Sequence, residues 1–312
     1  MSCPAAFHFA TRLATFRIRS TEPTEVPPNF WTMSATWLKK QRFYTRSYTF
    51  PVETVVFQSY RTENVPAWIA RCMESVRAWA AANGFEYRFY DDAFLARAPG
   101  WYREKARNNV LLVSDLARLL VARELLEAGY RRTIWMDADL LVFAPLPSAF
   151  SLPDGYAFCR EIWSWRNDDG SPRLLQERAN NAVSVFDRGN PVLEFLAYAA
   201  QAMVRNWQGT VPAIAVSTPL LSSLNERIGL PLLRHIGTLS PHAMLALAND
   251  EAAYLQAFMA RVGEPLVAAN LCGSFRDPAN HGTTLDETVY EAAVRLLLES
   301  KGAALNRFLP SS

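Results

Sequence analysis

The sequence predicts an α/β fold in which strands are joined by crossover helices. Three observations support this prediction. Short apolar runs alternate with longer segments whose apolar residues repeat at helical spacing over residues 52–143. Glycines, Gly84 and Gly129, stand where the helical segments should end. Polar or acidic residues follow the strand-like runs, at the sheet edge where such folds bind ligands.

The first half of the domain contains alternating strands and helices. They are predicted at 52–57 (strand), from Pro66 onward (helix), at 85–90 (strand), at about 106–128 (helix) and at 133–136 (strand). In the helix after Pro66, one stripe at helical spacing comprises Trp68, Ile69, Cys72, Val76 and Trp79. Residues 140–143 continue apolar until two prolines end the run.

The second half is less regular. Strands are predicted at 156–159 and 182–186, and helices at 191–204 and 286–300. A polar, aromatic loop, 161–180, separates the two strands. We therefore expect an irregular lead-in over residues 1–50 and one folded domain over residues 51–312, divided into halves 51–145 and 146–312.

Composition excludes several classes of protein. Half of the 312 residues are apolar and 20% are charged, as in soluble globular proteins. The net charge of +2 argues against a nucleic-acid binder, which would carry a basic face. Its four cysteines have no metal-binding spacing and are too few for a disulfide framework, which favours a reducing compartment.

The sequence shows no membrane-spanning segment. No apolar run is long enough to cross a bilayer. Residues 1–21 lack the continuous apolar stretch of a secretory signal. We expect a cytoplasmic protein without a transmembrane segment, and peripheral membrane contact stays open.

The first candidate motif is Asp137-Ala138-Asp139, directly after an apolar strand. Side chains two residues apart on an extended backbone point to the same side, so both carboxylates can reach one cation. Two like charges held close repel each other, and a bound Mn²⁺ or Mg²⁺ relieves the repulsion. Hard cations of this kind take carboxylate oxygens together with substrate phosphate oxygens. The alternative is a solvated turn after a buried strand.

The second candidate motif is Ser114-Asp115-Leu116-Ala117-Arg118. Asp115 and Arg118 lie three apart on the predicted helix and therefore share a face. Their neighbours are strongly apolar, so we expect the pair to be buried and to need partners. The Arg118 guanidinium can meet a phosphate or orient an acid of the Asp-Ala-Asp motif. The alternative is a surface ion pair.

These motifs, in this order, resemble glycosyltransferases of family 32, the class of the yeast initiating mannosyltransferases. The matches are Gln58-Ser59, Trp79, Tyr87 to Asp92, Ser114 to Arg118 and Ile134 to Asp139. Three features depart from that family's pattern. Phe57 replaces a histidine, and residues 129–132 lengthen a connection. The late histidine that often binds metal in the family would align near Asn270 and is absent. The connection and Asn180-Asn181-Ala182 are similar to the glycogenin-like family 8 instead.

The resemblance implies a GT-A fold, a Rossmann-like mixed sheet flanked by helices. It further implies transfer of a sugar from a nucleotide-diphosphate donor to a glycan, lipid or protein hydroxyl, with Mn²⁺ or Mg²⁺ and with retention of configuration. The first half of the domain would bind the nucleotide sugar and the second half the acceptor.

Residue roles carried over from the resemblance are expectations. Asp137 and Asp139 would hold the metal, and Asn270 or Ser274 would add a third ligand. Asp115 and Arg118 would contact the donor. The nucleoside would lie against the polar end of the first strand, and further substrate contacts would come from the second half: Gln58, Ser59, Tyr60, Asn181, Trp163 and Trp165.

Two other functions stay open at this point. A catalytically degenerate relative would bind sugars or nucleotides without turnover, and the two missing histidines favour it. A haloacid dehalogenase-like phosphatase also places Asp-x-Asp after a strand. The phosphatase motif has Thr or Val at the position of Leu141, and it normally follows the first strand of the sheet.

Overall fold

The computed structural model describes residues 54–147, 150, 152, 154–174, 176–274, 283 and 285–310. The predicted lead-in, 1–50, lies outside this range, and the division into two halves stays a prediction. Within the described residues, no helix combines the length and the apolar character that a bilayer crossing requires. The expected cytoplasmic location also stays a prediction.

The predicted helices and strands occur in the predicted order, with further elements in both halves. The strands are β1 (Thr54–Ser59), β2 (Glu86–Tyr90), β3 (Arg132–Met136), β4 (Leu140–Val142), β5 (Tyr156–Glu161), β6 (Ser164–Arg166), β7 (Pro172–Leu174), β8 (Arg178–Asp187), β9 (Leu232–Leu233), β10 (Ile236–Thr238) and β11 (Ala268–Asn270). The helices are α1 (Ala67–Ala82), α2 (Gly100–Lys105), α3 (Val110–Glu127), α4 (Pro191–Asn206), α5 (Thr218–Ile228), α6 (Pro241–Ala248), α7 (Ala252–Val262), α8 (Glu287–Glu299) and α9 (Ala303–Asn306). A 3₁₀ helix spans Asp92–Arg97.

The main sheet has the strand order β2-β1-β3-β8-β5-β9. Strands β1, β2 and β3 run parallel, as expected for strands joined by crossover helices. Strand β8 runs antiparallel to both β3 and β5, and β9 runs parallel to β5. The predicted fold class, a mixed α/β sheet flanked by helices, is confirmed.

A second, smaller sheet has the order β10-β11-β4. The apolar run after the Asp-Ala-Asp motif therefore does not extend β3. It turns away as β4 and pairs antiparallel with β11, so that Leu140 faces Asn270. This turn places the motif at the junction of the two sheets.

Helices cover both sheets. The apolar residues of α3 and α4 pack in one cluster with the main sheet. The predicted stripe of α1 is buried, from Trp68 to Trp79, and α1 packs against β4 and α8. The predicted loop 161–180 contains a hairpin, β6–β7, which pairs Trp165 with Arg173.

Candidate active site

The Asp-Ala-Asp motif forms a tight turn between β3 and β4. The Asp137 N–H donates to the Ala182 carbonyl at 2.8 Å, and the Leu140 N–H donates to the Asp137 carbonyl at 3.0 Å. Ala138 is buried, and both carboxylates line the same two cavities. The acids thus converge as expected, although a turn, and not an extended strand, brings them together.

Asp139 is held by the loop that follows β11. The Asn270 amide donates to Asp139 Oδ1 at 2.7 Å, and the Gly273 N–H donates to Asp139 Oδ2 at 2.6 Å. The Leu271 N–H reaches the Asp139 carbonyl at 3.0 Å. Cys272 adopts φ = 55° within this loop, a conformation that non-glycine residues seldom take unless surrounding contacts impose it.

Asp137 is held from the opposite side. Its Oδ1 accepts from the Trp135 indole at 2.7 Å and from the Arg118 guanidinium at 3.1 Å. Gln58 donates to the Asp137 carbonyl at 3.0 Å and accepts from the Tyr87 hydroxyl at 2.9 Å. Both carboxylates are therefore fixed by the protein, as a site that must position charge requires.

The Asp115–Arg118 pair is buried on α3, which confirms the expectation drawn from its apolar neighbours. The guanidinium lies 3.1 Å from Asp115 Oδ1 and donates to the Asn181 carbonyl at 3.1 Å. The Asn181 amide donates to Asp115 Oδ1 at 2.9 Å. Arg118 also lies 4.8 Å from the centroid of the Trp135 ring. It is thus the cation that joins Asp115, Asp137 and strand β8.

Burial raises the pKa of all three carboxyl groups. For Asp137, desolvation raises the pKa, Arg118 opposes it, and the charge of Asp139 adds to the rise. For Asp139, desolvation again dominates and the Gly273 N–H opposes it. For Asp115, desolvation raises the pKa against the attraction of Arg118. The protein thus holds several carboxylates where their charged forms are disfavoured, a pattern common at functional sites.

Two cavities meet at the motif. The outer cavity has a volume of about 400 Å³, and its walls are Ser59, Tyr60, Arg61, Trp68, Ile69, Val110, Leu111, Ser114, Trp135 and Gly273. The inner cavity, of about 80 Å³, is more polar and is lined by Asp115, Glu161, Asn180, Asn181, Ser217, Thr218 and Asn270 among others. Residues that line both are Leu111, Arg118, Asp137, Asp139 and Ser274.

No protein-family model matches the chain, and no curated protein matches it. Solved structures do match the chain, among them two with a low TM-score. One is a glycosyltransferase involved in the glycosylation of the major capsid of PBCV-1, with a TM-score of 0.37 and 10% identity over 78% of this chain and 99% of that one. The other is A197 from STIV, with a TM-score of 0.25 and 10% identity over 56% of this chain and 78% of that one. At these TM-scores neither likeness bears on the activity of this chain.

The structure separates the residues that were predicted to contact substrate. Ser59 and Tyr60 line the outer cavity, and Asn181 lines the inner one. Gln58 is fully buried and supports the Asp137 backbone, so it borders neither cavity. Trp163 is also buried and packs edge-on against Trp165.

The two residues proposed as a third metal ligand differ in their surroundings. The Asn270 amide oxygen accepts from the Cys272 N–H at 2.8 Å, while its NH₂ group holds Asp139. Asn270 therefore positions the carboxylate in this structure, and its oxygen, which accepts one hydrogen bond, keeps a second lone pair. Ser274 lines both cavities beside the motif.

The sequence analysis gave no site role to four polar residues that line the inner cavity: Glu161, Asn180, Ser217 and Thr218. Glu161 is buried at the end of β5, where it accepts from the Asn180 amide at 2.6 Å and pairs with Arg178. A polar residue after an apolar strand was the signal used for the first half, and it applies equally to Glu161. Ser217 and Thr218 precede and begin a helix whose position depends on tertiary packing.

The two carboxylates suit a divalent cation whose remaining ligands come from the substrate. Within the described part of the chain, no group of three His, Cys, Asp or Glu side chains could hold a metal ion. Asp137 and Asp139 nevertheless line one cavity wall, and each oxygen that accepts one hydrogen bond retains a second lone pair. Mg²⁺ in proteins is typically held by one or two carboxylates plus substrate phosphates and water. Burial raises the Asp137 pKa and the charge of Asp139 adds to the rise, and a cation bound between the two carboxylates would oppose both effects.

Proposed function

We propose that this chain is a glycosyltransferase that takes its sugar from a nucleotide-diphosphate donor and uses Mn²⁺ or Mg²⁺. The observation that carries the proposal is the position of Asp137 and Asp139, where an outer, partly apolar cavity meets an inner, polar one. A nucleotide sugar has the same order of parts: an aromatic nucleoside, a charged diphosphate and a hydroxyl-rich sugar.

The outer cavity suits a nucleoside. Tyr60, Val110 and Leu111 supply aromatic and apolar surface, and Val110 is 60% exposed although it is a large aliphatic residue. An exposed apolar side chain at a cavity mouth is stabilised when a base covers it. Ser59 and Ser114 add hydroxyl groups that can bond a ribose.

Charge in the inner cavity favours a cation-dependent donor. Its described lining residues include four acids, Asp115, Asp137, Asp139 and Glu161, and one base, Arg118. A diphosphate brought to this wall alone would be repelled by the excess of negative charge. A divalent cation between the two reverses the sign of the interaction, and this is the chemistry the metal would supply to the leaving diphosphate.

The chain's own residues would position the reactants. Asp137 and Asp139 would hold the cation with the diphosphate, and Arg118 would keep Asp137 in place. Asp115, already oriented by the Asn181 amide, would accept hydrogen bonds from hydroxyls of the donor sugar. The acceptor is a hydroxyl compound, and we propose retention by a front-face route in which the leaving phosphate receives the acceptor proton. Catalysis then depends on positioning and on charge stabilisation.

Nucleotide release from UDP- and GDP-sugars tests the proposal. The wild-type chain with Mn²⁺ should release nucleoside diphosphate, and Asp139→Ala should reduce the rate by about 100-fold or more. Asp187→Ala is a matched control, because Asp187 is a partly buried carboxylate paired with Arg132, away from both cavities. This control should keep its activity.

The same preparations separate the alternatives. A degenerate relative would show nucleotide-dependent thermal stabilisation without any release, and a phosphatase would hydrolyse p-nitrophenyl phosphate. Equal release by the wild-type chain and by folded Asp139→Ala would remove the motif from the mechanism and with it the proposed function.

A further inference from the structure

A third cavity, the hairpin cavity, lies beside the β6–β7 hairpin and has a volume of about 1080 Å³. It does not include the Asp-Ala-Asp motif. The described residues that line it are Trp165, Arg166, Asn167, Asp168, Asp169, Arg173, His242, Leu245 and Thr283. Nothing in the proposed chemistry of the donor uses this cavity.

The hairpin holds Trp165 in a fixed orientation. The Trp163 ring packs edge-on against Trp165, with centroids 6.5 Å apart and planes at 71°. The Trp165 carbonyl accepts from the Tyr254 hydroxyl at 3.3 Å. Arg166 lies 4.6 Å from the Tyr254 ring centroid and pairs with Glu251. The indole is half-buried, so one part of it packs while another part borders the cavity.

Two charged side chains beside Trp165 are available to a ligand. Arg173 stands opposite Trp165 in the hairpin, with its guanidinium 5.8 Å from the ring centroid. Within the described residues, neither Arg173 nor Asp168 makes a side-chain hydrogen bond or an ion pair. Asp169, by contrast, is engaged by Ser171 in the hairpin turn. Among its described residues, the wall therefore offers an aromatic surface, a guanidinium placed over that surface, and a carboxylate without a hydrogen bond or ion pair.

Two connections, one along the chain and one through hydrogen bonds, place this wall near the Asp-Ala-Asp motif. Trp165 follows Glu161, which lines the inner cavity, by four residues, and four residues span at most about 14 Å. The Ser164 hydroxyl lies 2.8 Å from the Ser240 hydroxyl, and the neighbouring Leu239 N–H donates to the Asn270 carbonyl at 2.9 Å. Asn270 in turn holds Asp139.

We propose that the hairpin cavity binds a sugar unit of an oligosaccharide acceptor, some distance from the hydroxyl that is glycosylated. This inference rests on the proposed function and narrows the acceptor to a glycan of several units. The apolar C–H face of a sugar ring would lie on Trp165, and its hydroxyls would bond Asp168 and Arg173. The cavity is larger than a single sugar needs, which suits a chain of them.

A neutral glycan fits this wall better than a phosphate or a lipid does. The charged side chains among the described lining residues are two arginines and two aspartates, so these residues together carry no net charge that would select an anion. Leu245 is the one aliphatic residue among the described lining residues, too few to hold an acyl chain. Carboxylate, guanidinium and amide groups around one aromatic ring match the alternating hydroxyls and apolar face of a sugar.

Binding of glycans to the chain is measured by saturation-transfer-difference NMR. The ligands are gluco-, galacto-, manno- and N-acetylglucosamine saccharides of one to five units. A glycan array tests a wider range of glycans. We expect longer members of one series to bind and the monosaccharides to bind weakly. Trp165→Ala should reduce the affinity about ten-fold or more, and Trp165→Phe should retain part of it. Arg173→Ala and Asp168→Ala, both exposed changes that leave the core intact, should each weaken binding.

Trp101→Ala is the matched control. Trp101 is another partly buried indole beside an arginine, with Arg205 4.7 Å from its ring centroid, and it lines none of these three cavities. This variant should bind glycans like the wild-type chain.

Nucleotide binding, followed by thermal shift with UDP or GDP and Mn²⁺, separates the two proposals. If the chain binds nucleotide but binds no glycan on the array, the hairpin proposal is overturned and the proposed function stays intact. Glycan binding that Trp165→Ala, Arg173→Ala and Asp168→Ala leave unchanged also overturns it. Glycan binding that depends on Trp165 without nucleotide binding would keep the glycan site and refute the transferase.

Discussion

Asn270 is the residue whose replacement tests the site most directly. Its amide makes two hydrogen bonds, to Asp139 Oδ1 at 2.7 Å and from the Cys272 N–H at 2.8 Å. Asn270→Ala removes both, and it leaves the half-buried carboxylate of Asp139 and a strained loop without their support. The Asp139 carboxylate would then be oriented by the Gly273 N–H alone among its side-chain contacts in the described residues.

The magnitude follows from these two bonds. A hydrogen bond to a charged group contributes about 1.5–3 kcal/mol and a neutral one about 1 kcal/mol, so the free energy of unfolding should fall by about 3 kcal/mol. In a domain of this size that loss lowers the Tm by about 6–12 °C. Loss of a group that orients a metal-binding carboxylate typically weakens metal affinity about 10–100-fold. We expect the Mn²⁺-dependent affinity for nucleoside diphosphate to fall by the same order.

Urea unfolding gives the stability, and titration calorimetry of UDP or GDP with Mn²⁺ gives the affinity. Asn306→Ala is the control, because the Asn306 amide also makes two hydrogen bonds, from the Leu266 N–H at 3.0 Å and to the Leu266 carbonyl at 2.8 Å. It should cost about 2 kcal/mol of stability without changing the affinity. Wild-type affinity in Asn270→Ala, or an equal loss of affinity in Asn306→Ala, would refute the reasoning.

Two further predictions concern Gly273 and His235. A Cβ at Gly273 would lie 3.2 Å from Asp139 Oδ2 and 2.8 Å from a neighbouring tryptophan ring, so Gly273→Ala should reduce nucleotide release about 100-fold. Gly100→Ala, where a Cβ meets no atom within 4 Å, should leave release unchanged, and an active Gly273→Ala would contradict the geometry. Burial lowers the pKa of His235, so as pH falls below about 6.5 the unfolded chain binds a proton that the native chain resists, and stability decreases. Urea midpoints between pH 7.5 and pH 5 should therefore fall less in His235→Gln than in the wild-type chain, and parallel curves would show that His235 contributes nothing.

The first half of the fold could be predicted because its signals are local. Strand β3, the Asp-Ala-Asp turn and helix α3 lie close together in sequence, and their apolar spacing fixes which faces are buried. The burial of Asp115 and Arg118 followed from their apolar neighbours alone. The contact of Arg118 with Asp137 needed only one further rule, that the carboxyl ends of parallel strands gather at one edge.

The rest of the site depends on contacts between residues far apart in sequence. Asn270 lies 131 residues from Asp139, and no local pattern states which residue of the second half will reach that carboxylate. Residues 140–143 continue the apolar run, but their hydrophobicity does not say which sheet they join, and pairing with β11 decides it. The position of Gln58 was predicted correctly at a strand end, yet whether its amide faces substrate or the Asp137 backbone is settled only by packing.

The electrostatics of the site imply that metal and nucleotide depend on each other. Burial raises the pKa of Asp137 and of Asp139, and for Asp137 the charge of Asp139 adds to the rise. A bound cation would favour the charged form of both groups, and without it those charges would repel a diphosphate. A cation held by two protein carboxylates still has open positions, which phosphate oxygens fill. If the cation strengthens nucleotide binding by some factor, then the nucleotide must strengthen cation binding by the same factor. Two carboxylates are few ligands for a metal ion by themselves. They are therefore consistent with a metal site whose remaining ligands are phosphate oxygens of the nucleotide donor.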